Sequence, residues 1–153
     1  DSERSGSGHS TSLKTPFKYK KVDLVQGAMC YSVSGTPADC VKFGISHIAN
    51  NDIDLVISGI NHGRNLGTDV LYSGTVGAAL EAIIGGFSAI ALSYGGRGGW
   101  HFDYAAQFAA KNIKVLKEFS AAKFALNINF PDCKPDNIKG VKITPLGREK
   151  YSI

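Results

Sequence analysis

Asp54-Leu55-Val56-Ile57-Ser58-Gly59-Ile60 is the stretch whose reading decides the fold. A short apolar run that begins with β-branched residues and closes near a glycine has the form of a strand buried on both faces, and such strands belong to parallel sheets. A polar loop, Asn61 to Tyr72, follows it. From Ser73 onward Val76, Ala79, Leu80, Ile83 and Ile84 recur at helical spacing, until Gly85-Gly86 stops the helix. The unit then repeats: a strand over Ala89 to Tyr94 and a helix from about Phe102 to Phe119, with Phe102, Ala105, Ala109, Ile113 and Leu116 on one face. Ala125 to Phe130 and Val141 to Thr144 read as two further strands. This alternation predicts an α/β fold: a parallel sheet with right-handed crossovers, helices on both faces, and ligands beyond the carboxyl ends of the strands.

Upstream, residues 17–25 and 28–34 read as two strands around Gln26-Gly27, a hairpin signal. Thr36-Pro37-Ala38-Asp39 starts a helix: Thr36 can cap it, Pro37 suits its first position, and Asp39 favours the positive end of its dipole. That helix is expected to reach about His47. Residues 1–12 read as a Gly/Ser loop.

With 153 residues, 43% of them hydrophobic, the chain is expected to close one core as a single domain spanning 1–153. The net charge of +4 is spread along the chain, which favours small anionic ligands and argues against nucleic acid as a partner. No apolar run approaches the ~20 residues of a membrane span, so no membrane partner is expected. Cys30, Cys40 and Cys133 have neither disulfide-framework nor zinc spacing and read as reduced thiols of a cytoplasmic protein. The opening Asp-Ser-Glu-Arg-Ser-Gly has the composition of a loop within a domain, and further sequence is expected on both sides of the chain.

Three constellations can carry chemistry. In Ser5-Gly6-Ser7-Gly8-His9-Ser10 small residues let backbone N–H groups converge on an anion, the hydroxyls of Ser5 and Ser7 add hard oxygens, and His9 can donate to a phosphate or protonate a leaving group. The same composition also describes a flexible linker. Ser58-Gly59-Ile60-Asn61-His62-Gly63-Arg64-Asn65 lies where such a sheet places ligands, and Asn61 offers an amide oxygen to a hard divalent cation. His62 reads as an exposed or hydrogen-bonded loop residue, and Asn65 as a turn residue or phosphate contact. Tyr72-Ser73-Gly74-Thr75-Val76 opens a helix, whose unpaired N–H groups and dipole suit phosphate, with the hydroxyls of Ser73 and Thr75 as added donors. Glu81, farther along that helix, reads as solvated or at a packing edge. An NAD-binding reading is disfavoured, because no strand precedes G-x-G-x-x-G.

These segments, with Gly35-Thr36-Pro37-Ala38-Asp39-Cys40 and Asn65-Leu66-Gly67, stand in the order found in SurE survival proteins, and the chain resembles that family over nearly its whole length, most clearly from Tyr31 to Ser93. The resemblance implies a Rossmann-like three-layer αβα sandwich that hydrolyses nucleoside 5′- and 3′-monophosphates with one divalent metal ion, Mg²⁺ or Mn²⁺, and assembles as a homo-dimer or homo-tetramer. It places metal ligands at Ser5 and Asn61; from the anion-binding loops themselves, substrate phosphate is expected against Ser73, Gly74 and Thr75, with Ser7, His9 and Asn65 as further contacts. The family's pair of adjacent aspartates is expected upstream of Asp1, and a β-hairpin with a helical tail beyond Ile153. The chain alone is therefore expected to be inactive. The rival expectation is a non-catalytic nucleotide- or phosphate-binding module.

Overall fold

The computed structural model describes residues 5–96, 102–120 and 124–148. An antiparallel pair, β1 (Tyr19–Val22) and β2 (Cys30–Val33), is followed by α1 (Pro37–Phe43), which continues through a π-helical turn, Gly44–Ile48. Then come β3 (Val56–His62), a 3-10 turn at Gly67–Leu71, α2 (Gly74–Ile84), β4 (Ala89–Tyr94), α3 (Phe102–Ser120) and β5 (Leu126–Phe130). The strands β3, β4 and β5 form a parallel sheet in that order.

All six residues of β4 are buried, as expected of a central parallel strand, and its alternation divides the core in two. Ala89 and Ala91 meet Val76, Ala79 and Ala82 of α2, whereas Ile90, Leu92 and Tyr94 meet Ala105 and Ala109 of α3 and Phe130 of β5. The two helices therefore lie on opposite faces, and the αβα layering is that of the expected sandwich. Crossovers that step in the same direction across a sheet on opposite faces have opposite hands. The expectation of right-handed connections throughout is thus corrected at one of the two, and the reason is burial: β4 is apolar on both faces, and each face needs a helix.

Local chemistry sets the helix ends. Thr36 caps α1 in a capping box with Asp39, and Pro37 occupies its first turn. Ser73 caps α2 by accepting the Val76 N–H at 3.1 Å, and Gly85 ends it. Two sequence expectations shrink or fail. The hairpin pairs over only four residues per strand, with a longer loop than Gln26-Gly27 alone. Val141 to Thr144 forms no strand: Val141 and Ile143 are 76% and 86% exposed, and alternation without a neighbouring strand to pair with does not hold a strand.

Candidate functional site

The β3–β4 pairing is regular as far as Ser58 and resumes, out of register, at Asn61. Gly59 makes the irregularity sterically possible. Its φ is +123°, and a Cβ there would stand 2.4 Å from the Leu92 carbonyl oxygen. The Gly59–Ile60 peptide is cis. Beyond the bulge the Asn61 side chain reaches the start of α2, where Oδ1 accepts from Thr75 Oγ1 at 3.2 Å while Nδ2 donates to the Gly63 carbonyl at 3.0 Å. The amide orientation is thus fixed, with its oxygen toward the helix N-terminus.

Ser5, Asn61, Asn65, Ser73, Gly74 and Thr75 all line one groove of about 1440 Å³ along β3 and the start of α2. Of the first constellation, Ser5 and Gly6 line a second wall of the groove, and the rest of that segment backs them. Ser7 Oγ is buried, has no hydrogen-bond partner among the described residues, and lies 2.7 Å from where Gly74 would carry a Cβ. Only glycine at 74 lets that hydroxyl approach the helix start. The wall is tied down at several points: Gly8 N–H to the Tyr72 carbonyl (2.9 Å), Thr36 Oγ1 to the Ser10 carbonyl (2.7 Å), and Ser12 N–H and Oγ to the Asp39 carboxylate (2.9 and 2.7 Å).

His9 points elsewhere than into the groove's floor. Its Nε2 lies 2.6 Å from Glu81 Oε2, and Lys42 Nζ lies 3.2 Å from Glu81 Oε1. Glu81 is accordingly not a solvated residue, since its side chain is only 11% exposed and joins the first constellation, α1 and α2. Burial pushes the Glu81 carboxyl up, but the hydrogen bonds and charges of His9 and Lys42 outweigh it and leave the group below its ordinary value. Asp39 behaves alike: burial raises it, and the bonds from Ser12 and Thr36 bring it lower.

Asn65 is 5% exposed, and its amide is directed into the fold, with Nδ2 donating to Ser93 Oγ at 2.7 Å. Its backbone is held by β5, where Asn129 Oδ1 accepts the Asn65 N–H (2.8 Å) and Asn127 and Asn129 donate to its carbonyl (2.8 and 3.1 Å). Sequence reading missed these partners. The available signal was a pair of asparagines at alternate positions of an otherwise apolar strand, Leu126-Asn127-Ile128-Asn129-Phe130. The groove also holds Arg64, the only Lys or Arg side chain among the described residues lining it, and Asp69, the only carboxylate there. His62 is exposed and packs edge-on to Phe102.

Ser5 and Asn61 are hard oxygen donors of the kind divalent ions take, yet both are neutral, and among the described residues no group of three His, Cys, Asp or Glu comes together. A dication needs anionic ligands to leave water, so these two residues do not by themselves make a complete metal site. Among the described residues no helix is long and apolar enough to cross a membrane.

Comparison with known proteins agrees with this architecture. The family model described as Survival protein SurE matches residues 1–153. A protein of Syntrophomonas wolfei subsp. wolfei named 5′-nucleotidase SurE is 47% identical over 153 residues, covering 99% of this chain and 58% of its own length. One of the same name from Clostridium beijerinckii is 43% identical, covering 97% and 60%. The crystal structure of the SurE protein from Aquifex aeolicus superposes with a TM-score of 0.83 at 41% identity, over 97% of this chain and 59% of that one. The chain spans about three fifths of the length of the curated relatives it matches. With the match running from its first residue to its last, this chain belongs to the SurE family.

Proposed function

We propose that the protein containing this chain is a phosphomonoesterase that hydrolyses nucleoside 5′- and 3′-monophosphates to nucleoside and phosphate, with dependence on a divalent cation, Mg²⁺ or Mn²⁺. The observation that carries the reading is the meeting of the α2 N-terminus, the Asn61 amide oxygen and Ser5 on one groove, in a family whose curated relatives are named 5′-nucleotidases.

In this reading the N–H groups of Gly74 and Thr75, which have no partner within the helix, receive the phosphate oxygens, and the helix dipole favours their charge. Thr75 Oγ1 would donate to the substrate, and Asn61 Oδ1 with Ser5 Oγ are the oxygens of this chain that would hold the cation, whose charge would act on the phosphoryl oxygens. Ser7 Oγ, unpartnered beside Gly74, adds a donor. Arg64 supplies lasting positive charge at the groove. Donors fixed before substrate arrives need no reorganisation as charge develops on the phosphoryl oxygens. The family resemblance extends the proposal to a cytoplasmic homo-dimer or homo-tetramer, which light scattering of the full-length protein would check.

The test is release of inorganic phosphate by the full-length protein from nucleoside 5′- and 3′-monophosphates, with Mn²⁺, with Mg²⁺ and with excess chelator. Metal-dependent turnover of both is expected. Tight nucleotide binding without phosphate release would overturn the proposal in favour of a binding module, and undiminished turnover in chelator would overturn its metal dependence.

A further inference from the structure

The loop between Asn61 and Ser73 lines part of the groove, and it is held at Asn65 by side chains of a strand more than 60 residues away. Asn129 both accepts the Asn65 N–H and donates to the Asn65 carbonyl, Asn127 donates to the same carbonyl, and Asn129 Nδ2 lies 3.3 Å from Asn127 Oδ1. Ser93, on β4 between the two, receives the Asn65 side chain. One residue of the loop thus has its backbone donor, its backbone acceptor and its side chain all bonded to the sheet. A turn that only needed to be stable could satisfy its polar groups with water or with its own Asx bonds. Here three sheet residues serve a single loop residue.

The consequence reaches Asn61 over a short path. Asn61 Nδ2 donates to the Gly63 carbonyl, two residues before the clamped Asn65, and Gly63 N–H is in turn bonded to the Tyr94 carbonyl at 2.8 Å. An amide side chain can present either its oxygen or its nitrogen, and the Gly63 carbonyl decides between them by accepting from the nitrogen. Fixing the chain at Asn65 fixes where that carbonyl points. We propose that Asn127 and Asn129 are positioning residues of the groove, which clamp the Asn65 backbone and through Gly63 hold the Asn61 oxygen toward the start of α2. This rests on the reading that the groove is the hydrolytic site, and it makes Asn65 the hub of the clamp.

The experiment uses the full-length protein with Asn129→Leu, which keeps the shape of the side chain and removes its bonds, and Asn127→Ala, which removes one donor and serves if the first variant does not fold. Two quantities are measured on each: the kcat and KM for a nucleoside monophosphate with the Mn²⁺ concentration for half activation, and amide hydrogen exchange over Asn61–Leu66 relative to β4. Misplacement of a ligand by a fraction of its length lowers kcat, and about a ten- to hundredfold fall is expected for Asn129→Leu with KM nearly unchanged and half activation shifted to higher Mn²⁺. Exchange over Asn61–Leu66 should accelerate while that of β4 stays as in wild type. A folded variant with wild-type kcat and half activation overturns the positioning role, whatever its melting temperature. Should the wild-type protein show no turnover, the hydrolytic reading fails, and exchange alone decides the clamp: no acceleration overturns it.

Discussion

The two walls of the groove are held by different chemistry. The wall from Asn61 to Ser73 is fixed by neutral amides and hydroxyls: Asn65 against Asn127, Asn129 and Ser93, and Asn61 against Gly63 and Thr75. The segment behind the other wall, Ser5 to Ser12, has two neutral ties, Gly8 to Tyr72 and Thr36 to Ser10, and adds two carboxylates: Asp39 receives Ser12, and Glu81, itself paired with Lys42 of α1, receives His9. Neutral bonds are indifferent to pH and salt, whereas carboxylate bonds are stronger singly and sensitive to both. One wall is therefore built as a constant and the other as a variable, and each can be disturbed without the other.

The largest effect is expected from the neutral wall. Asn61→Ala removes the oriented oxygen and should lower kcat about a hundredfold in the full-length protein, with a weakened response to Mn²⁺. Wild-type metal titration curves for this variant would break the assignment of Asn61.

Glu81→Gln probes the other wall and leaves His9 and Lys42 without their anion. A loss of about tenfold in kcat/KM is expected from displacement of the Ser5–Ser12 segment, together with about 1–3 kcal/mol of stability, read by denaturant unfolding. An unchanged kcat/KM would show that this wall stands without its ionic tie.

Acid separates the walls without mutation. The carboxyls of Asp39 and Glu81 lie below their ordinary values of 3.8 and 4.5 in the folded chain. Their contribution is complete above those values and is lost as pH falls through the lowered folded ones. Amide exchange, corrected for its intrinsic pH dependence, should therefore show Gly8 to Ser12 losing protection on acidification before Asn61 to Leu66 does. Simultaneous loss would erase the distinction.

The smallest effect belongs to Ser73→Ala, at the junction of the walls. Losing the cap costs about 1 kcal/mol, and losing a phosphate contact made in ground and transition states alike should raise KM a few-fold with kcat held. A lowered melting temperature with unchanged KM would leave Ser73 as a cap alone.

Much of the fold was legible because its cues are local. The run Ala89 to Tyr94, the caps Thr36 and Ser73 and the stop at Gly85 each announce themselves within a few residues. The segment Val141 to Thr144 misled for the same reason, since its alternation carries no information about a partner strand. The loops of the site were legible from glycine and hydroxyl spacing. What holds them was not: Asn65 and Asn129 are 64 residues apart, and His9 and Glu81 are 72 apart. A glutamate on a helix and two asparagines on a strand look ordinary until the chain brings them to a loop.

The divided core of β4 has an evolutionary consequence. Toward α2 the strand offers Ala89, Ala91 and Ser93, and the helix answers with Ala79 and Ala82; toward α3 it offers Ile90, Leu92 and Tyr94. The large face can drift, because one bulky apolar side chain can be exchanged for another with compensating change nearby. The small face has almost nothing left to trim and no room to grow, and any added methyl would push α2 away from Asn61. Across a saturation library the odd and even positions of a single six-residue strand should therefore diverge, with tolerance at 90 and 92 and intolerance at 89 and 91, so that the distance between helix and sheet is inherited as a run of small side chains.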